Sequence, residues 1–204
     1  MRMLGIDPGL TCTGWGIIEQ HGTALIHLGH GQIRTSPQQS DHERLQIIFD
    51  AILAVCQEHG PMAASIESVF VSKNAKSALK LGMARGVAMA AASSYGLPLT
   101  EIAPRLAKKA VTGTGAADKK QMQAMVGHLL GMVPKGADAA DALGLAIAGI
   151  HEAANGQIIG SASGLAQQIT RKPHQSVGGG RGLQSAIAAA LAKDNKTKDN
   201  KRGR

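Results

Sequence analysis

Four carboxylates stand where a folding chain has little reason to put them. Asp7 ends the apolar run of "MLGIDPG", with Pro8-Gly9 as a turn behind it. Glu67 lies in "ASIESVF", flanked by Ile66 and Val69, a stretch that reads as a buried strand. An unpaired ionised acid there would be costly, and a nearby cation removes the cost. Asp138 and Asp141 are three apart in "ADAADALGLAIAG", hence on one face of a predicted helix. They repel each other at that spacing, and the helix dipole offsets only part of the repulsion. A divalent cation would reverse the sign. No His or Cys stands at metal-ligand spacing, so the donors are oxygens, which suit Mg²⁺ or Mn²⁺ and disfavour Zn²⁺. Two such ions about 4 Å apart can clamp an in-line phosphoryl displacement, one activating water and the other stabilising the leaving oxygen. Each acid also has a plainer reading: a turn former at Asp7, an edge-strand Glu facing water, and two exposed acids at a helix start.

The charge distribution points to a polyanion beside those acids. The formal charge is +8, but residues 1–67 hold three basic against seven acidic residues. Residues 68–135 reverse this, with ten basic against Glu101 and Asp118. A basic middle segment between acidic flanks suits nucleic acid bound near a carboxylate site. A solvated helix face is the plainer alternative. Cys12 and Cys56 are far apart and form no CxxC, which fits free thiols in a reducing compartment. The longest clean apolar run, residues 142–150, is far shorter than the roughly 20 residues that span a bilayer. No membrane role and a cytoplasmic location are therefore expected.

Elements able to position the acids are legible from periodicity. Strands are predicted at 2–7, 13–20 and 23–34, broken at Pro8-Gly9 and His21-Gly22. Apolar positions at Leu45, Ile48, Phe49, Ile52, Leu53 and Cys56 predict a helix over 41–58, opened by Asp41 as a cap and closed by Gly60-Pro61. A strand over 62–70, a helix over 74–95 and a strand over 97–103 follow. Three helices complete the pattern, at 104–111, 117–131 and 137–154. This order predicts an α/β fold with a five-stranded mixed sheet flanked by helices. Ligands in such sheets gather at the carboxyl ends of parallel strands, where Asp7 would sit. Residues 1–156 are expected to form one domain. Residues 157–204 lack a sustained apolar pattern, carry nine basic against two acidic residues, and read as a disordered, low-complexity basic tail.

Taken together, "GIDPG…TGWGII", "SIESVF…KNAKSALKLGMARGV", "GTGAADKKQM" and "DAADALGLAIA" resemble the RuvC family of Holliday-junction resolvases, in order over about residues 1–155. The resemblance implies a ribonuclease H-like fold and a homodimer. It implies paired, symmetric, Mg²⁺-dependent nicking of four-way DNA junctions in recombination and repair; the oxygen donor set adds the expectation of two ions per site, with Mn²⁺ as a substitute. It also implies a RuvA and RuvB branch-migration complex as partner. The family's four acidic ligands fall on Asp7, Glu67, Asp138 and Asp141, and some members carry a His at the position of Asp138. Phe70 matches an aromatic that stacks on unpaired bases, a contact worth roughly 1–3 kcal/mol per base. Lys108 and Lys119 match basic residues near the cleaved backbone, with Lys109 as an alternative to Lys108. Lys73, Lys76, Lys80, Arg85, Arg105 and Lys120 are candidate DNA contacts, each with a solvated surface role as the plain alternative. The small residues around Gly82 and Gly86 fall where the family has its dimer seam.

Two rival readings come from other classes. "GIDPGLTCTGWG" also resembles the first phosphate loop of actin-like ATPases, although no second such loop is present. A non-catalytic junction-binding protein is the other, and an intact set of four acids speaks against it.

Overall fold

The computed structural model describes residues 1–68 and 74–156. Three strands open the chain: β1 (Arg2–Asp7), β2 (Cys12–His21) and β3 (Ala24–Arg34). Then come α1 (Asp41–His59), β4 (Ala63–Glu67), α2 (Ala75–Ser94) and β5 (Leu99–Ile102). The helices α3 (Pro104–Thr112), α4 (Lys119–Leu130) and α5 (Ala137–Ala154) finish it. The sheet order is β3-β2-β1-β4-β5. The first three strands pair antiparallel, while β4 runs parallel to both β1 and β5. This is the predicted five-stranded mixed sheet.

Strand parity decides which face each side chain meets. Leu4, Ile6 and Ile17 pack under α1 and α2 with Ile48, Ile52 and Ala88. Met3 and Ile18 pack on the other face with Leu143, Ile147 and Val126 of α5 and α4. Asp7 has the parity of Met3, and Glu67 that of Ala63, so both acids fall on the α5 face. Glycines let α5 sit close on that face. A Cβ on Gly5 would run into the Ala142 carbonyl oxygen, and one on Gly14 into that of Asp138. Ser65, fully buried, donates from Oγ to the Leu145 carbonyl at 2.8 Å and ties β4 to the same helix.

Several boundaries differ from the sequence expectation. β4 stops at Glu67, so this acid ends a strand and does not sit inside one. It is no edge residue either, since β4 lies between β1 and β5. β5 spans only Leu99–Ile102. Ser40, not Asp41, is the N-cap of α1. Its backbone N–H donates to Glu43 Oε2 at 2.8 Å, the reciprocal half of a capping box. Asp41 is the first helical residue and pairs instead with Arg44 and Lys80, each at 3.6 Å. The expected tail at 157–204, with Phe70 and Lys73, lies outside the described residues.

Candidate active site at the carboxyl ends of the central strands

The turn behind Asp7 is held from two sides. Thr13 Oγ1 donates to the Gly9 carbonyl at 2.8 Å, and the buried Arg44 donates to Thr11 Oγ1 at 3.1 Å. Asp7 therefore projects from a fixed strand end. Glu67 ends the neighbouring parallel strand, and Asp141 reaches the same place from α5. These three acids line one cavity of about 290 Å³, together with Lys108 of α3 and Lys119 of α4. Met122 and Leu145 supply apolar wall.

The electrostatics are those of acids gathered in a half-dry place. Asp7 has its carboxyl pushed up to about 7, first by burial and then by the charges of Glu67, Asp141 and Asp138. Glu67 is shifted the same way, by burial and then by Asp141. Lys119 opposes both shifts. Its ammonium donates to Asp141 Oδ2 at 2.8 Å, and that bond holds its own pKa up. Lys119 stands at the N-terminus of α4, whose cap Asp118 accepts from the Gln121 N–H at 2.8 Å.

Asp138 is placed differently from the other three. It does not line the cavity. Its Oδ2 accepts from Gln32 Nε2 at 2.7 Å and from Cys12 Sγ at 3.0 Å. Burial, reinforced by the bond to Asp138, pushes the Cys12 thiol up to about 11, so it stays a donor. Among the described residues, no group of three or more Asp, Glu, His or Cys side chains closes on a single ion site as it stands. The reason is visible in the contacts. Asp141 is turned to Lys119, and Asp138 to Gln32 and Cys12. The donor set nevertheless fits a hard divalent cation: the acids are oxygen ligands, half-buried, mutually repelling, and compensated by one lysine at the cavity.

The basic candidates separate by position. Lys108 lines the cavity, whereas Lys109 points into solvent outside it. Lys120, Arg105 and Lys76 are exposed. Lys80 is engaged with Asp41. Arg85 turns inward: its Nε donates to the Glu67 carbonyl at 3.1 Å and its Nη2 meets Glu101 Oε2 at 2.6 Å. It braces the end of β4 behind Glu67. Sequence reasoning missed Gln32 and Cys12 altogether. Their strand parity was the available signal, because it places both on the face that α5 covers.

A mixed sheet of this order, with carboxylates gathered at its parallel strand ends, is the arrangement expected of the ribonuclease H-like class. The comparisons with known proteins narrow that class. The model for "Crossover junction endodeoxyribonuclease RuvC" matches residues 3–151. The RuvC of Zymomonas mobilis is 48% identical over 170 residues, covering 83% of this chain and 98% of that protein. The RuvC of Hyphomonas neptunium is 49% identical over 155 residues, covering 74% and 91%. Thermus thermophilus RuvC, solved in complex with a Holliday junction substrate, superposes with a TM-score of 0.73 at 32% identity, covering 77% of this chain and 97% of that one. The chain belongs to the RuvC family of crossover junction endodeoxyribonucleases. It is a nuclease of DNA recombination and repair, dependent on a divalent metal, and the ATPase reading is not favoured.

Proposed function

We propose that the chain cleaves four-way DNA junctions by two symmetric nicks, acting as a C2 homodimer in the cytoplasm, where its substrate is. The observation that carries this reading is the single cavity in which Asp7, Glu67 and Asp141 meet Lys108 and Lys119. A two-fold substrate calls for two such sites in one particle. Asp7, Glu67 and Asp141, joined by Asp138, would hold Mg²⁺, with Mn²⁺ as substitute and two ions per site. Ions bound there supply activated water and stabilise the leaving oxygen. The chain's own residues do the rest. Asp7 must be ionised to serve as a ligand, so its raised pKa makes it a proton-sensitive one. Lys119, released from Asp141, is free to meet a phosphate oxygen, and Lys108 faces the same space. The exposed Lys76, Lys120 and Arg105 supply non-specific backbone grip. Phe70, three residues past Glu67, would stack on an opened base. A RuvA and RuvB branch-migration complex is the expected partner.

The test is incubation with synthetic four-way junctions, with and without Mg²⁺, and mapping of the products. Paired nicks at symmetric positions, dependent on the metal, are expected. Metal-independent cutting, or unpaired cutting of linear duplex and junction alike, would overturn the reading.

A further inference from the structure

Two donors converge on one oxygen of Asp138. Gln32 Nε2 lies 2.7 Å and Cys12 Sγ 3.0 Å from Oδ2, while Oδ1 accepts no hydrogen bond among the described residues. One half of the carboxylate is thus anchored and the other left free. Gln32 is itself held. Arg34 Nη2 donates to its Oε1 at 2.7 Å. A guanidinium only donates, so it faces the amide oxygen and leaves the NH₂ for Asp138. The backbone of Gly136 lies flat against the same amide, where a Cβ would sit 2.7 Å from Gln32 Cδ.

The sheet register explains why these groups meet. Asp7 pairs with Gly14, and Gly14 with Gln32, so the three form one row across β1, β2 and β3. All three share the face that α5 covers. The middle position has no side chain, and the Asp138 carbonyl occupies that gap. Asp138 therefore enters between Asp7 on one side and Gln32 on the other.

We propose that Gln32, backed by Arg34 and assisted by Cys12, is a positioning residue that anchors Asp138 through Oδ2 and presents Oδ1 to the ion held by Asp7. This rests on the reading of Asp138 as a metal ligand. Outer hydrogen bonds to ligating carboxylates orient them, and their loss costs about 10–100-fold in metal affinity. A purely structural tie between β3 and α5 would instead cost stability and leave metal binding alone.

The test uses the full chain without DNA, titrated with Mn²⁺ and followed by calorimetry. Gln32→Met keeps the length and packing of the side chain but removes the donor. It should weaken Mn²⁺ binding about tenfold or more. In an Asp138→Asn background the same change should have no further effect. Cys12→Ala should weaken binding severalfold, and Cys12→Ser, which restores a donor, should recover it. An affinity of Gln32→Met within twofold of wild type overturns the proposal, as does an equal loss on top of Asp138→Asn. If Gln32→Met does not fold, the cysteine pair decides: Cys12→Ala binding like wild type overturns it. A wild-type chain that binds no Mn²⁺ would bring down the metal reading and this one with it, whereas an indifferent Gln32 sinks only this one.

Discussion

The Lys119 ammonium lies 2.8 Å from Asp141 Oδ2, at the mouth of the cavity that Asp7 and Glu67 also line. The lysine, itself largely exposed, supplies from the cavity wall part of the positive charge that a metal ion would otherwise bring. It lowers the pKa of both Asp7 and Glu67 against the burial and repulsion that raise them. Lys119→Met should therefore push Asp7 above its value of about 7 in the metal-free protein. Carboxyl-carbon NMR titration reads this directly, and an unmoved Asp7 would remove Lys119 as its counter-charge. Cleavage should fall about a hundredfold, as for loss of one preorganised electrostatic contact.

The raised Asp7 makes metal-free stability depend on pH. Its carboxyl holds a proton in the folded state up to about 7, against 3.8 unfolded. The folded state binds more protons across that window, so stability falls as pH rises from about 4 to 7. Three pKa units set an upper limit of about 4 kcal/mol on the effect. Asp7→Asn should flatten the dependence and raise the metal-free Tm at pH 8. Thermal melts from pH 5 to 8 check this; a wild-type Tm that climbs toward pH 8 without metal contradicts it. Saturating Mg²⁺ should restore the wild type at pH 8, by about 2.7 kcal/mol at a hundred times Kd.

Asp7→Asn, Glu67→Gln and Asp141→Asn should each lower junction cleavage by about a thousandfold or more, a loss of several kcal/mol of transition-state stabilisation. Junction affinity should stay within severalfold, since none of them removes a basic group. Single-turnover cleavage beside gel-shift binding separates the two effects. Cleavage at wild-type rates in any of the three would take that acid out of the site.

Glycines at two places should respond in opposite ways. Gly14→Ala drives a methyl into the Asp138 carbonyl and lifts the start of α5. It should cost roughly 1–3 kcal/mol in denaturant unfolding and weaken Mn²⁺ binding as well. Gly86, on the exposed side of α2, has nothing within 4 Å of an added Cβ. Gly86→Leu should stabilise the folded chain by about 0.5–1 kcal/mol. If α2 forms the seam of the homodimer, the same change breaks the dimer. Sedimentation equilibrium should then find monomers, and product mapping single nicks in place of pairs. A dimer that survives Gly86→Leu places the seam elsewhere.

Removal of residues 157–204 deletes nine basic and two acidic residues. Junction cleavage at low salt should persist, because the described residues that line the cavity all precede the cut. The slope of log affinity against log salt should become shallower, as fewer phosphates are neutralised. A shortened protein that folds yet cuts nothing at low salt would make the tail essential to the chemistry.

Much of the fold was legible because its signals are local. Turn breaks at Pro8-Gly9 and His21-Gly22 set off β1 to β3, the spacing from Leu45 to Cys56 marked α1, and Pro104 opened α3. One misjudged point depended on neighbours in space. Glu67 reads as mid-strand because Val69 and Phe70 continue the apolar run, but pairing ends at Glu67. Asp41 is misread as the cap although Ser40 and Glu43 carry the local S-x-x-E spacing of a capping box; only the meeting of Asp41 with Lys80 comes from another helix. In the site, the acids stood out by type and setting alone. Lys108 and Lys109 could not be told apart until α3 was seated against the sheet.

By itself the sequence determined the acids, the order of the elements and the basic segment beside them, because residue type and short-range periodicity carry that information without any partner. Tertiary structure decided that Asp7, Glu67 and Asp141 share a cavity, that Lys119 stands among them, and that Asp138 is gripped by Gln32 and Cys12. Those outcomes arise from strand parity and from how closely α5 can approach bare glycines, and both exist only once distant segments are packed together.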